Sequence, residues 1–100
     1  MNYKNKCSNP DHELYRALLT LKTPEECHAF FQDLCTVAER RAIEQRYEVA
    51  RLLSEGKIYQ DILEKTGASS ATISRVSRCL NEYTTGAYRT VFARLDKEKP

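Results

Sequence analysis

Long apolar runs are missing from this chain. No stretch approaches the ~20 consecutive apolar residues that span a bilayer, so no membrane partner is expected. Met1-Asn2-Tyr3-Lys4-Asn5-Lys6 has no apolar segment behind it, which excludes a secretion signal and points to the cytoplasm. Segments alternating with period two are absent, as are internal repeats, and this removes strands from consideration. Cys7, Cys27, Cys35 and Cys79 form no C-x-x-C pair and no zinc spacing, and a cytoplasmic setting disfavours disulfides. Cys27 and Cys35 instead fall on apolar stripes and read as small buried hydrophobes. His12 and His28 stand singly, and His28 points away from its neighbour Cys27 on a helix, so no metal is expected. A Gly-rich phosphate loop, a Ser–His–Asp set and paired acids on a large pocket are also lacking, which argues against catalytic residues and against an enzyme.

What remains is a chain of 100 residues, 41% apolar and 30% charged, long enough for a modest core of its own. The net charge of +2 is small, but residues 1–56 hold 8 basic and 9 acidic side chains while residues 57–100 hold 8 and 5. A local basic face suffices for nucleic acid, because affinity follows the phosphates contacted rather than total charge. Ordinary surface variation produces the same counts.

Glycine and proline, three each, act as punctuation between helices. Asn9 caps and Pro10 opens a first helix to about Thr20, burying Leu14, Leu18 and Leu21. Thr23-Pro24-Glu25-Glu26 is a stronger start, with Thr23 as cap and Glu26 closing a capping box; the helix continues through Ala29, Phe30, Leu34 and Cys35. Thr36-Val37-Ala38-Glu39 is a second box, opening a long helix to about Ser54. One face of it carries Ile43, Tyr47, Ala50 and Leu53, broadened by Val49 and Leu52. Arg40, Arg41, Glu44, Glu48 and Arg51 read as its solvated side, and Gly56 ends it. A last helix, about 87–96, follows a break at Thr84-Thr85-Gly86 and carries the stripe Tyr88, Val91, Phe92 and Leu95. The Lys97–Pro100 tail is polar and expected to fray. The fold class is all-α, about six helices, in one domain over residues 10–96 behind a flexible N-terminus at 1–9.

Between the long helix and the last one, residues 59–78 read as a helix-turn-helix. Gly67 sits where the chain turns sharply and positive φ is needed. Ile62, Ala68, Ile73 and Val76 form a small apolar wedge between helices at about 59–66 and 70–80, the second capped by Ser69. Ser70, Ala71, Ser74, Arg75 and Arg78 give that second helix a small, hydrogen-bonding outer face, as a helix entering the major groove needs. Ser69, Ser70 and Thr72 lie at its N-terminus, where backbone N–H groups favour a phosphate oxygen. Lys57, Gln60, Arg75 and Arg78 add phosphate or base-edge contacts. Thr72 reads equally well as a capping residue, and Arg78 as a solvated charge. Leu63 stands where many such motifs place Ala, which implies a wider helix crossing or a partner that covers it.

The run Gly67-Ala68-Ser69-Ser70-Ala71-Thr72-Ile73-Ser74-Arg75-Val76 and the order of helices resemble the Trp-repressor superfamily, and within it the YerC/YecD branch of bacterial regulators. The resemblance covers roughly residues 10–95. It implies an intertwined homodimer whose fourth and fifth helices bind double-stranded operator DNA, with base-reading positions falling on Ser70, Ala71 and Ser74 and a polar contact on Gln60. Arg75 matches an arginine that stacks on the bound indole in the Trp repressor. The arginine opposite it is replaced by Gln45, and a ligand-holding hydroxyl by Cys79. A cationic sandwich needs two guanidiniums, so L-tryptophan is not expected as cofactor, and any other corepressor is left open.

Many large side chains on short helices (Phe30, Phe31, Tyr47, Tyr88, Phe92) also favour a homodimer, with a compact monomer as the competing arrangement. The expected function is a sequence-specific DNA-binding transcriptional repressor. The competing one is a dimeric protein-interaction adaptor of the transcription machinery with little direct DNA binding, which the low net charge favours.

Overall fold

The computed structural model describes residues 9–82 and 85–99; Cys7, Thr84, Pro100 and, apart from Asn9, the expected N-terminal arm at 1–9 lie outside them. Among the described residues there are six helices and no strand: α1 Glu13–Leu18, α2 Pro24–Leu34, α3 Val37–Ser54, α4 Tyr59–Thr66, α5 Ser70–Asn81 and α6 Ala87–Lys97. The chain divides into two compact units, one ending at Arg40 and one beginning at Arg41.

In the first unit the local start signals decide the helices, with one exception. Asn9 does not cap α1: its side chain accepts from Asp11 N–H at 2.8 Å and its carbonyl from His12 N–H at 3.0 Å. This closes a turn around Pro10, and α1 starts three residues late with His12 as cap, Nδ1 accepting from Leu14 N–H at 3.1 Å. Thr23 caps α2 as expected, accepting from Glu26 N–H at 3.1 Å; the Glu26 carboxylate reaches back past Thr23 to Lys22 N–H at 2.9 Å. The box at α3 closes on both sides, Thr36 accepting from Glu39 N–H at 3.1 Å and Glu39 from Thr36 N–H at 2.8 Å.

Neither α1 nor α2 contains a buried residue. Leu14, Leu18, Leu21, Phe30 and Phe31 are half-buried, as are Cys27 and Cys35, which are therefore not the core residues their stripes suggested. Leu19 is 86% exposed and Leu34 is 50% exposed.

The core belongs to the second unit: Val49, Ala50, Ile62, Ala68, Ile73, Val76, Leu80 and Phe92, with Leu52, Leu53 and Tyr88 packed against it. Only part of each long stripe enters it. Ile43 and Tyr47 on α3, and Val91 and Leu95 on α6, are exposed although they lie at core spacing. Phe92 is enclosed by Tyr47 edge-on at 5.6 Å, Tyr88 stacked at 5.9 Å and the Arg51 guanidinium 4.8 Å above its ring.

Arg51 is thus not part of a merely solvated face. Its stem lies along the core, and its head pairs with Asp96 of α6 and with Glu55 at 3.5 Å. Hydrogen bonding to Asp96 raises the Arg51 pKa and, reciprocally, holds the Asp96 carboxyl below the usual carboxylate value.

Candidate nucleic-acid interface

The helix-turn-helix is built outward from its turn. α4 ends at Thr66 because Gly67 takes a left-handed φ of 67°, and Gly67 N–H donates to the Leu63 carbonyl at 2.9 Å. Thr66 Oγ1 donates to the Ile62 carbonyl at 2.7 Å and accepts from Ala68 N–H at 3.1 Å, so the short link has few free polar groups. Ser69 then caps α5, accepting from Thr72 N–H at 3.1 Å.

Burial sorts the faces of α5. Ile73, Val76 and Leu80 point into the core with Ile62 and Ala68 of the preceding elements, as the wedge requires. Ser70, Ala71, Ser74, Arg75 and Arg78 are all exposed on the opposite side, at a spacing that puts 71, 74, 75 and 78 on one stripe. Neither Arg75 nor Arg78 is held in an ion pair among the described residues. Both guanidiniums are therefore available to an external anion. Leu63 is half-buried within the unit.

The remaining candidate residues are placed by local geometry. Gly56, at φ 81°, reverses the chain after α3; Gly56 N–H donates to the Leu53 carbonyl at 3.0 Å and Lys57 N–H to the Leu52 carbonyl at 3.1 Å. This presents Lys57, exposed, just before α4. Gln60 is exposed in the first turn of α4, where its amide donates to Glu64 at 3.4 Å within the same helix. The Thr72 hydroxyl, half-buried, accepts from the Ser69 hydroxyl at 3.1 Å, so these two residues are engaged with each other in the cap.

Ser74 and Arg78 share a shallow groove of about 500 Å³ with Tyr59, Leu53, Ile73, Ser77 and Glu82. Tyr59, which opens α4, is 46% exposed beside the α5 face, a placement that no local pattern in the sequence marks. Arg89 was also missed. It donates to the Leu80 carbonyl at 3.3 Å and the Asn81 side chain at 2.9 Å, closing the C-terminal end of α5. Part of the basic surplus after residue 57 is thus used inside the unit.

Gln45 and Cys79 are placed by different contacts. Gln45 donates its amide to the Thr66 carbonyl at 3.0 Å, at the end of α4. Cys79 lines an apolar recess of about 420 Å³ with Tyr47, Thr85, Ala87, Tyr88 and Val91, and neither Gln45 nor Arg75 takes part in that lining. Cys27, Cys35 and Cys79 are not in disulfides. No helix among the described residues is long and apolar enough to cross a membrane.

Comparison with known proteins agrees with this architecture. The chain is 52% identical over 83 residues to the YerC protein of Bacillus subtilis (strain 168), covering 83% of this chain and 79% of that one. It is 36% identical over 77 residues to a Trp operon repressor homolog of Chlamydia trachomatis serovar D, covering 72% and 82%. The crystal structure of a TrpR-like protein from Eubacterium eligens ATCC 27750 superposes with a TM-score of 0.82 at 46% identity, over 96% of this chain and 99% of that one. The family model for the Trp repressor protein matches residues 11–96, and with that span and those identities the chain belongs to the Trp repressor family.

Proposed function

We propose that the protein is a homodimeric transcriptional repressor that reads a specific double-stranded DNA sequence through α4 and α5. Its family is one of DNA-binding transcriptional regulators, so the protein is not an enzyme. The observation that carries the finer reading is the sorting of α5: Ile73, Val76 and Leu80 face inward, while Ser70, Ala71, Ser74, Arg75 and Arg78 face solvent without acidic partners. Small side chains let the helix approach base edges, and unpaired guanidiniums suit guanine or phosphate. The N-terminus of α5 and Lys57 supply phosphate contacts that fix register. The work is done in the cytoplasm, where the DNA is.

Dimerisation is supported by what the chain leaves uncovered. The apolar residues of α1 and α2 are at best half-buried, and Val91 and Leu95 of α6 are exposed. A second copy is the economical cover, and its two-fold axis matches half-sites ~34 Å apart. Phe92 packs within its own unit, so Phe92→Ala would report on the core; Val91→Glu is the cleaner probe and is expected to shift the sedimenting species from dimer to monomer.

L-tryptophan is not the effector in this reading. Gln45 offers an amide in place of a guanidinium and spends it on Thr66, and the recess beside Cys79 has no cationic side chain in its lining. An electrophoretic shift with genomic fragments at two salt concentrations tests the whole proposal. Binding is expected to weaken steeply with salt, as phosphate contacts release counterions. No shift at low salt would leave the adaptor reading in its place.

A further inference from the structure

We propose that Gln45 is a positioning residue for DNA reading: its amide pins the end of α4 to α3 and so sets the attitude in which α5 is presented, with no ligand required. This rests on the DNA-binding reading above. Gln45 is half-buried on α3, and its Nε2 donates to the Thr66 carbonyl at 3.0 Å across 21 residues of sequence. Thr66 is the last residue of α4, where carbonyls have lost their intrahelical donors and accept from elsewhere.

Thr66 is also the junction of the motif. Its hydroxyl bonds back to Ile62 and forward to Ala68, and Ser69, the cap of α5, is the next residue. A shift of Thr66 therefore carries the start of α5 with it. The apolar wedge does not prevent such a shift by itself. Burial of Ile62, Ala68, Ile73 and Val76 is non-directional and holds the helices together without fixing their pitch. One directional bond at the hinge supplies what the wedge lacks. An uncharged amide on a backbone carbonyl does not titrate, so the latch is closed at any pH at which the protein folds.

The test compares affinity for a selected site with affinity for a scrambled duplex of equal length, well below the melting temperature of each variant. Q45M keeps the length of the side chain and removes the donor. Its ratio of specific to scrambled affinity is expected to fall about threefold to tenfold, the range of one net hydrogen bond. Affinity for the scrambled duplex and the salt slope stay unchanged, because the phosphate-contacting side chains are intact. Q45K, which retains a donor, is expected to restore most of the ratio. A merely structural role would lower stability and leave the ratio alone. If Q45M does not fold, the isosteric Q45E carries the same comparison. Wild type that binds DNA with a ratio matched by Q45M overturns this proposal alone; wild type that binds no duplex at low salt overturns the DNA reading and this proposal with it.

Discussion

In the unit that begins at Arg41, apolar side chains from α3, α4, α5 and α6 close a core that includes four residues with no exposed surface in the helix-turn-helix and α3: Val49, Ala50, Ile62 and Ala68. In the unit that ends at Arg40, α1 and α2 carry Leu14, Leu18, Phe30, Phe31 and Leu34 and bury none of them. Helices of both units carry apolar stripes, and α1, α2, α3 and α5 have side-chain N-caps while α4 and α6 do not. Propensity and capping therefore determine where a helix forms, and burial depends on whether something faces it. The reading head is self-sufficient; the N-terminal helices are an unfinished surface.

The largest expected effect separates these two conditions. Ile62→Ala removes a fully buried side chain from the wedge and is expected to cost about 2–5 kcal/mol in urea unfolding. Under native conditions it should sediment as wild type does. Phe30→Ala removes a half-buried ring whose aromatic neighbour is Phe31 at 6.2 Å, and is expected to act mainly on self-association, seen as a lighter sedimenting species on dilution. If Phe30→Ala costs as much as Ile62→Ala and leaves association untouched, the first unit is as self-contained as the second.

Next in size is Arg75→Ala. An exposed guanidinium contributes little to folding, so the urea midpoint is expected to hold while affinity for a selected site drops by about 1–3 kcal/mol. Equal losses on every duplex sequence would make Arg75 a phosphate contact and move base reading to Ser70, Ala71 and Ser74. Smaller again is Gly67→Ala. A Cβ at this glycine meets nothing within 4 Å, so only the left-handed backbone, φ 67°, opposes it. The expected cost is about 1 kcal/mol in the urea midpoint. A cost of several times that would show the turn to be crowded.

Local features were legible in the sequence and long-range ones were not. Thr23, Thr36 and Ser69 declare themselves because a cap and the N–H that donates to it are three residues apart, and Gly67 because one residue type tolerates its φ. The first helix was misplaced for the converse reason: Asn9 closes a turn as readily as it opens a helix, and the Asn9–Asp11 bond chose the turn. Ile43, Tyr47, Val91 and Leu95 share the spacing of buried neighbours, yet spacing says which side of a helix is apolar and nothing of what covers it. Arg51 and Gln45 are the clearest omissions. Their partners, Asp96 and Thr66, lie 45 and 21 residues away, beyond the reach of any local pattern.

The same contrast between local and long-range partners predicts the smallest effect, at acid pH. In the first unit Glu39 is held below the ordinary carboxylate value by the backbone N–H and hydroxyl of Thr36, three residues away. In the second, Asp96 is held down chiefly by the hydrogen bond from Arg51 on another helix, with burial opposing. Both carboxyls take up protons more readily in the unfolded chain. Their contributions are complete above the ordinary carboxylate pKa and are lost as pH falls through the lowered folded values. Both groups are exposed, so each contribution is small and screened by salt. Urea unfolding from neutral to acid pH should show a shallower acid loss in Asp96→Asn and in Glu39→Gln than in wild type. The Asp96 variant alone should also loosen α6, read as faster amide exchange near Phe92, because only its partner lies on a different helix. Equal exchange in the two variants would mean that the Arg51–Asp96 pair decorates the second unit and does not help to close it.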